Sequence, residues 1–443
     1  MQENKKEEIE KQKTMKLSVK EASFASVNLN IAESYIVPYA LALNASNFQI
    51  GLLRSIYGLL PPVTQLYSSK LMERYSRKKI IVTSVSLQAL TWLPIIFLAL
   101  FFTKGIFISY LPYFLILFYA LYGIFGSIAY PAWFSLMGDI VPEEKRGIYF
   151  GKRNRVAGIA ALIATLTSAL ILDFFKTKGF VLAGFSILFL VASICRFISA
   201  LYLKKHYDKK FKQKEIDFSF FQFLRKVGKY NFNFFALFTS MMHFSVMIAG
   251  PFFTVFMLRE LNFSYATLMF VNLSASLFGL IFMPLWGKFS DRYGRKETIL
   301  LSSIFISLMP ALWLFSQNPI YLLLPSFFSG VGWAGFNLSA FNFVYDSIKP
   351  EKRSFCFAYF NILSGIGIFF GSLLGGGILK ILPGLNGSKF LSLFLLSSFL
   401  RTLTCIIFLP HIKEVRKVKK FKPVILFRRL VPRGLMHELH HHP

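Results

Sequence analysis

The sequence predicts an all-α membrane protein with twelve transmembrane helices in two pseudo-symmetric six-helix halves. Three observations predict this fold: long apolar segments recur along the 443 residues, basic residues cluster in alternate loops, and sequence elements of the first half recur in the second. Hydrophobic residues make up 55% of the chain, above the roughly 45–50% that is usual in soluble domains. The excess lies in continuous runs, which favours membrane crossings over an enlarged soluble core.

The apolar runs have the length of membrane spans. Residues 80–103 contain no charged side chain, and about 20 such residues cross the hydrocarbon core of a bilayer. A polar, basic stretch at 205–230 divides the spans into six and six. In chain order, we expect spans 1 to 12 at residues 22–43, 48–69, 80–103, 109–138, 148–172, 179–203, 231–257, 265–287, 298–316, 320–345, 355–380 and 389–410.

The charge of the loops predicts the topology. Loops 44–48 and 316–319 carry no Lys or Arg and loop 103–108 carries only Lys104, whereas the alternate loops are rich in both. Because Lys and Arg concentrate in cytoplasmic loops, both termini are expected inside. Residues 1–20 lack a signal-peptide apolar region and are expected to form a solvated cytoplasmic tail. Residues 413–443 are expected to form a basic cytoplasmic tail, in which LVPRG (430–434) resembles a protease-recognition sequence, so 430–443 carry no functional argument.

Other functional classes are disfavoured. A net charge of +29 is compatible with nucleic-acid binding, but its placement in short loop clusters is typical of a topology signal, so no nucleic-acid partner is expected. The three cysteines Cys195, Cys356 and Cys405 show no metal or disulfide spacing. No GxxxxGK[ST] or GxSxG motif occurs, and the HExxH pattern at 437–441 lies within residues 430–443, which carry no functional argument. An enzyme, an ATP-driven pump, a cofactor and a metal site are therefore not expected.

Internal repeats relate the two halves. SKLMERYSRKK (69–79) aligns with GKFSDRYGRKE (287–297), DIVPEEKRGIYFGKRNRVAG (139–158) with DSIKPEKRSFCFAYFNILSG (346–365), and ICRFISALYLKKH (194–206) with FLRTLTCIIFLPH (399–411). The repeats predict an N-terminal half at 21–204, a basic cytoplasmic linker at 205–230 and a C-terminal half at 231–412. Parallel halves of this kind place a transport site at their interface near the membrane midplane.

The charged loop between spans 8 and 9 has the chemistry of a gate. Gly287 and Gly294 are expected to permit a tight turn and close helix approach, Asp291 to cap a helix start, and Arg292 and Arg295 to pair with carboxylates on neighbouring helices. Pairs that form in one conformation and break in another would latch the basic side of the protein.

These residues resemble the signature loop of the major facilitator superfamily, G-x-L-x-D-R-x-G-R-[KR], with Phe289 in place of Leu. The first-half copy is weaker, since Ser69 and Ser76 replace both glycines and Glu73 replaces the aspartate. The D-x-x-P-x-x-x-R-G loop at 139–147 is also common in that superfamily. The resemblance implies a cytoplasmic gate lock that favours the outward-facing state. Its expected members are Glu73, Arg74, Arg77, Asp139, Arg146, Gly287, Asp291, Arg292, Gly294, Arg295, Asp346 and Arg353.

Span 1 carries the strongest candidate for a transport site. Ser26, Asn30 and Glu33 share one helix face, and Glu33 lies near mid-span. An ionisable residue inside a span is costly and is a functional candidate by default. Glu33 is therefore expected to carry a proton or pair with a cationic substrate, and the alternative is a structural hydrogen bond to a neighbouring helix.

Further candidates lie in spans 4, 7 and 10. Aligning Pro251 with Pro38 sets His243 opposite Asn30, and histidine titrates near neutral pH, so it is a candidate proton relay or a structural group. The superfamily resemblance implies that spans 1, 4, 7 and 10 line a central cavity. The candidates from that resemblance, which could equally face lipid or pack structurally, are Tyr130, Trp133, Trp333, Asn337 and Asn342.

The expected function is that of a secondary transporter that moves a small solute by alternating access, with protons as a candidate coupling ion. Alternatives are a facilitative uniporter, or a lipid scramblase or receptor on the same fold. Span 5 lacks the GPxxGG-type motif of drug–proton antiporters, and span 6 does not end in the PESPR-like motif of sugar porters, so neither subfamily is supported. A monomer in the cell membrane is expected, with the lipid bilayer and a small-molecule substrate as partners.

Overall fold

The computed structural model describes residues 2–208, 231–348, 353–416 and 418–419. Within them the chain is helical apart from its loops, and helices occupy all twelve predicted spans, so we number them alike. The N-terminal half contains helix 1 (Gln2–Ala42), helix 2 (Asn47–Arg74), helix 3 (Arg77–Leu90 and Trp92–Thr103), helix 4 (Leu111–Ile140), helix 5 (Arg146–Thr177) and helix 6 (Val181–Lys204).

The C-terminal half repeats this order. It contains helix 7 (Asn231–Arg259), helix 8 (Tyr265–Tyr293), helix 9 (Arg295–Leu312), helix 10 (Leu323–Ser347), helix 11 (Arg353–Ile378) and helix 12 (Lys389–Phe408). Most of the predicted linker and most of the predicted C-terminal tail lie outside the described residues. The basic residues Lys349 and Lys352 of the predicted topology also lie outside them.

In the described part of the chain, eight helices are long and apolar enough to cross a membrane: helices 3 to 8, 11 and 12. Helices 1, 2, 9 and 10 are long enough but contain no equally apolar stretch. Length and composition therefore support eight of the twelve expected crossings, and the other four remain predictions.

Helix 1 differs from the expected solvated tail, because it begins at Gln2 instead of near residue 22. Thr14, Ser18 and Glu21 are buried. The Thr14 hydroxyl accepts a hydrogen bond from the backbone of Tyr207 at 2.9 Å, and Arg153 donates to Glu21 at 3.1 Å. The expectation was wrong because polar side chains here are buried against polar partners, a pairing that hydropathy does not detect.

Helix 3 is interrupted between Leu90 and Trp92. Pro94 follows the interruption and lacks the backbone N–H that would bond to the carbonyl of Leu90. The two segments together occupy the predicted span 3 and form one candidate crossing, Arg77–Thr103.

Small residues let the helices around the interface approach closely. A Cβ on Gly367, Gly371 or Gly375 of helix 11 would overlap backbone carbonyls of helix 7. A Cβ on Gly51 of helix 2 would lie 2.5 Å from the carbonyl oxygen of Ser372 on helix 11. The helix 11 glycines therefore serve close helix packing, and helix 11 joins helix 7 to helix 2 of the other half.

The apolar core is shared by the halves at one end only. We call the end with the basic loops the basic end. The largest buried cluster joins both halves at the opposite end and includes Ile36, Leu53, Phe252 and Leu268. Toward the basic end each half has its own cluster, although Val63 and Leu66 of helix 2 still pack against the C-terminal one. The halves therefore meet most extensively away from the basic end.

Candidate functional site

A charged cluster between helices 1 and 2 is the candidate transport site. Arg54 Nη1 lies 3.5 Å from Glu33 Oε2, Arg54 Nη2 donates to the Glu33 carbonyl at 3.3 Å, and the Tyr57 hydroxyl donates to Glu33 Oε1 at 3.0 Å. The side chains of Glu33 and Arg54 are 44% and 25% exposed. Glu33 is thus a surface-accessible carboxylate held by two groups of helix 2, and not an enclosed acid with a single structural partner.

In the expected crossings of helices 1 and 2, both charges would lie at membrane depth. Glu33 is nine residues from the end of helix 1 and Arg54 seven from the start of helix 2, which corresponds to about 14 and 11 Å at 1.5 Å per residue. A bilayer's hydrocarbon core is about 30 Å thick. Predicted spans 1, 2, 4, 7, 8 and 10 contain no other Asp, Glu, Lys or Arg, so this pair carries the formal charge of these six spans.

Aromatic rings continue the cluster onto helix 4. The rings of Tyr57 and Tyr119 stack with centroids 4.3 Å apart, and Tyr119 stacks on Tyr122 at 5.8 Å. The Tyr122 hydroxyl donates to the side chain of Asn28 at 2.7 Å. Helix 4 therefore supports the site through its tyrosines, whereas the sequence had singled out Tyr130 and Trp133.

The other predicted residues of the N-terminal half lie elsewhere. Asn30 donates to the Ser26 carbonyl of its own helix at 2.9 Å, so its amide caps a local turn. Tyr130 is 57% exposed and stacks beside Trp133 at 6.5 Å. The Arg153 guanidinium lies 4.4 Å from the Trp133 ring centroid. None of the contacts described here connects these residues with Glu33.

The C-terminal candidates form a separate group. His243 Nδ1 lies 2.8 Å from the Thr239 carbonyl oxygen, and its ring centroid is 6.0 Å from that of Trp333. Asn337 is exposed and Asn342 half-buried. His243 is therefore an aromatic-packed residue with one ring nitrogen engaged, and its role as a proton relay stays a prediction.

At the basic end of the N-terminal half, the predicted gate pair forms. Arg77 donates to Asp139 at 2.6 Å and to Ser135 at 3.1 Å, and it lies 3.6 Å from Asp208. Asp208 also accepts from the backbone N–H of Lys78 at 3.1 Å, in the first turn of helix 3. This ion-pair group joins helices 3, 4 and the residues after helix 6 within one half.

The remaining gate residues of this half contribute differently. Arg146 donates to the Gly138 carbonyl at 2.9 Å. Glu73 and Arg74 are exposed, and neither takes part in the ion pairs seen among the described residues. Both remain predictions as gate residues.

The C-terminal half repeats the arrangement. Arg295 donates to Asp346 at 3.1 Å and to Asp291 at 3.0 Å. The backbone N–H of Lys296 donates to Glu414 at 2.8 Å. Lys296 and Lys78 are equivalent in the loop repeat, so Glu414 and Asp208 cap helices 9 and 3 in the same way.

Three details of the expected gate need correction, and a fourth lies outside the described residues. Gly294 has φ 101°, and a Cβ there would collide with Glu414. A Cβ on Gly287 would meet nothing within 4 Å, so a glycine at 287 is not required for close helix approach. Asp291 lies in the last turn of helix 8 and pairs with Arg295 and Arg416, because Glu414 already occupies the start of helix 9. The Arg292 guanidinium lies over the Tyr293 ring at 5.2 Å and not against a carboxylate. Arg353 begins helix 11, and its side chain lies outside what the structure describes.

His206, just beyond helix 6, is a buried group at the basic end of the N-terminal half. It is 1% exposed. Burial, with a smaller effect from the nearby charges of Lys78 and Arg153, lowers the pKa of His206 from 6.5 to about 4. The imidazole is therefore neutral in the folded protein near pH 7, and its protonation would place a charge in a site that already faces two cations.

The halves are joined by hydrogen bonds near the end opposite the basic loops. Asp173 of helix 5 accepts from the backbone N–H groups of Tyr265 and Ala266, at 2.7 and 2.8 Å, at the start of helix 8. Arg259 donates to Asn47 at 3.0 Å and to the Ala45 carbonyl. The gate pairs at the basic end each stay within one half. The described hydrogen bonds thus hold the halves together away from the basic end.

Several of these residues were missed by the sequence reasoning. Arg54 carries a readable signal, since it is the single charged residue of span 2. Arg196 and Arg401 are equivalent in the third repeat. Arg401 is buried and Arg196 half-buried, and both form hydrogen bonds: Arg196 donates to Gln88 at 2.6 Å and Arg401 to the Ile306 carbonyl at 2.8 Å. Asp173 carries no such signal, because it lies at the end of an ordinary apolar span.

Two repeated helical halves, joined mainly at one end and carrying a charged pair inside their helices, are the architecture of a membrane transporter. The chain belongs to the Major Facilitator Superfamily, whose family model matches residues 22–248 and 234–436. The fold class expected from the resemblance and the expectation that the chain is not an enzyme are thereby confirmed.

Curated relatives match over limited segments. The chain is 34% identical to Multidrug resistance protein 3 of Bacillus subtilis (strain 168) over 93 residues, 21% of this chain and 18% of that protein. It is 28% identical to the class B Tetracycline resistance protein of Escherichia coli over 144 residues, 32% and 34% of the two chains. The matches thus span about a fifth to a third of these relatives.

Solved structures match over nearly the whole fold. The crystal structure of the nucleoside transporter NupG has a TM-score of 0.66 at 16% identity, covering 90% of this chain and 99% of that one. A bacterial homologue of the iron transporter ferroportin in the inward-facing state has a TM-score of 0.67 at 17% identity, covering 90% and 98%. At these identities the likeness extends to the fold alone.

Proposed function

We propose that this transporter is a secondary active carrier that moves a small organic solute across the cell membrane in exchange with, or together with, protons. The observation that carries the proposal is Glu33, a 44% exposed carboxylate within helix 1. Intramembrane carboxylates are rare and mark ion and proton pathways. A carboxylate that is reachable from the surface can take up and release a proton without unfolding its surroundings.

Alternating access of the two halves is the proposed mechanism. The inter-half hydrogen bonds of Asp173 and Arg259 lie away from the basic end, and each gate pair stays within its own half. With the basic end in the cytoplasm, this arrangement corresponds to an inward-facing state. The outward-facing state would break the Asp173 and Arg259 contacts and bring the basic loops together.

The relatives by sequence support an organic solute as substrate. Their names concern multidrug resistance and tetracycline resistance. Stacked tyrosines beside a charged pair, as at Tyr57 and Tyr119, suit an aromatic or amphipathic molecule with a polar group. A monomer in the cell membrane is the proposed working form.

The test is transport by the purified full chain in proteoliposomes. Pools of labelled organic acids, amines, nucleosides and drugs would be assayed with an imposed pH gradient, with and without a protonophore. The proposal predicts saturable transport of at least one pool that accumulates against its gradient and collapses with the protonophore. Saturable transport that only equilibrates would favour a uniporter, and lipid movement without solute transport would favour a scramblase. Either result would contradict the proposal.

A further inference from the structure

Arg54 changes what the Glu33 site can bind. Its guanidinium contacts both the Glu33 carboxylate and the Glu33 backbone carbonyl. A cationic substrate that approached Glu33 would have to displace a cation already in place and would remain beside it. The pair of opposite charges is neutral as it stands, so the site offers no net attraction for a cation.

Protonation of Glu33 reverses this situation. One carboxylate oxygen forms an O–H bond with a proton taken from water, and the ion pair with Arg54 is lost. The Arg54 guanidinium, a planar fork of N–H donors suited to carboxylate or phosphate oxygens, is then a charge without a counterion at membrane depth. An anion that bound there would restore neutrality.

We propose that the substrate is a singly charged organic anion, which binds to Arg54 when Glu33 is protonated, so that one proton and one anion cross together. This inference rests on the proposed function and names its substrate class. The Arg54 guanidinium moves its hydrogen bonds from Glu33 to the acidic group of the substrate and keeps its own protons. The loaded site and the empty site are both electrically neutral, which lowers the cost of carrying either through the membrane.

The groups around the pair suit this exchange. On helix 2, Tyr57 donates to Glu33. On helix 4, the Tyr119 ring stacks on Tyr57 with centroids 4.3 Å apart. The Tyr119 hydroxyl is buried beside Tyr57, so it is a donor that can turn toward an incoming anion.

Within the described residues, no ion pair or hydrogen bond joins Glu33 to a charged side chain of the other helices that contact helix 1. Several of their charged residues engage other groups: Asp173 the start of helix 8, Arg153 Glu21, Arg196 Gln88, and Arg259 Asn47. In the described part of the chain, Arg54 is therefore the cation in direct contact with Glu33.

The test uses ligands of fixed charge, so that pH acts on the protein alone. Benzenesulfonate, other aromatic sulfonates and phenyltrimethylammonium would be added to the purified full chain at pH 5.5 and pH 7.5, with apparent Kd taken from thermal-shift titrations. Wild type is expected to bind at least one sulfonate tighter at pH 5.5 than at pH 7.5. A weakly buffered solution should lose about one proton per sulfonate bound.

Two substitutions separate the roles. Glu33→Gln imitates the protonated acid, so it should bind the sulfonate equally at both pH values and without proton uptake. Arg54→Gln should weaken sulfonate binding by about tenfold or more, since hydrogen bonds to a charged group are each worth at least that factor. Arg54→Lys should restore part of the affinity, which shows that a loss in Arg54→Gln is not misfolding.

Several results would overturn the inference. Tight binding of phenyltrimethylammonium that is lost in Glu33→Gln would make Glu33 a cation site. Sulfonate binding of equal affinity at both pH values in wild type, or of equal affinity in wild type and Arg54→Gln, would also overturn it. So would the absence of binding by any sulfonate. The proposed function has its own test in proteoliposomes. Proton-driven transport of amines but not acids would support the proton-coupled carrier and contradict the anionic substrate. Anion binding with proton uptake but no transport would support the anion site and contradict the carrier.

Discussion

Replacing Asp173 by Asn should release the contact that holds the two halves together away from the basic end. The Asp173 carboxylate accepts two backbone N–H groups at the start of helix 8, at 2.7 and 2.8 Å, where the helix dipole also favours a negative charge. Asn has one acceptor oxygen and no charge. Since hydrogen bonds to a charged group contribute about 1.5–3 kcal/mol each, and the site is half-buried, we expect a loss of about 2 kcal/mol.

A loss of about 2 kcal/mol shifts a two-state equilibrium by about 30-fold toward the outward-facing state. Spin labels at Ile148 on helix 5 and Lys288 on helix 8, both exposed near the basic end, would measure the change by pulsed electron resonance. The labels require a background in which the three native cysteines are replaced. The population with a short distance between the labels should rise in Asp173→Asn.

The matched control is Thr177→Ala, one turn further along helix 5. Its hydroxyl donates to the Phe174 carbonyl of the same helix at 2.8 Å, so its loss should leave the distance distribution unchanged. If Asp173→Asn also leaves the distribution unchanged while the protein stays folded, the inter-half contact does not control the conformational equilibrium, and the reasoning is refuted.

Three further predictions concern packing, pH and the gate. Gly371→Ala should destabilise the protein by about 1–3 kcal/mol through overpacking against helix 7. Gly377→Ala is the control and should be nearly neutral, because a Cβ at 377 meets nothing within 4 Å. Equal melting temperatures of the two variants would contradict this prediction. Because the pKa of His206 is about 4 in the folded protein and 6.5 unfolded, its stabilising effect is complete above pH 6.5 and lost as the pH falls toward 4. Acidification from pH 7.5 to 5 should therefore cost about 2 kcal/mol, and His206→Gln should show a smaller drop in melting temperature over that range. Asp291→Asn should favour the inward-facing state, which is opposite to the effect of Asp173→Asn. The same spin labels would measure this, and a shift of the distance distribution in the same direction in both variants would contradict the prediction.

The sequence predicted the positions of the helices closely because each depends on local composition. Span 9 was expected at 298–316 and helix 9 is Arg295–Leu312. Arg77, Asp139, Arg295 and Asp346 were each predicted as gate members, and the structure pairs Arg77 with Asp139 and Arg295 with Asp346. The sequence could single them out because they lie in repeats at helix ends, but it did not predict which residues pair. The polar N-terminal part of helix 1 was not predicted, since its burial depends on partners such as Tyr207 that hydropathy cannot see.

The transport site was predicted only in part. Glu33 was found because a lone acid in an apolar span is conspicuous. Its partner Arg54 was not, because pairing depends on how far helices 1 and 2 slide and rotate relative to each other, which the local pattern does not encode. Aligning Pro251 with Pro38 set His243 opposite Asn30 in the sequence. For the same reason, this alignment could not show whether the two residues share a site.

The most direct test of the account is proton movement through Glu33 itself. Proteoliposomes with a trapped pH dye would compare wild type and Glu33→Gln with the solute identified in the transport screen. The account predicts that the solute drives proton flux in wild type, and that Glu33→Gln loses this flux but still exchanges labelled solute across the membrane. Solute-driven proton flux that survives in Glu33→Gln would contradict the account and move the search for the coupling residue to His243.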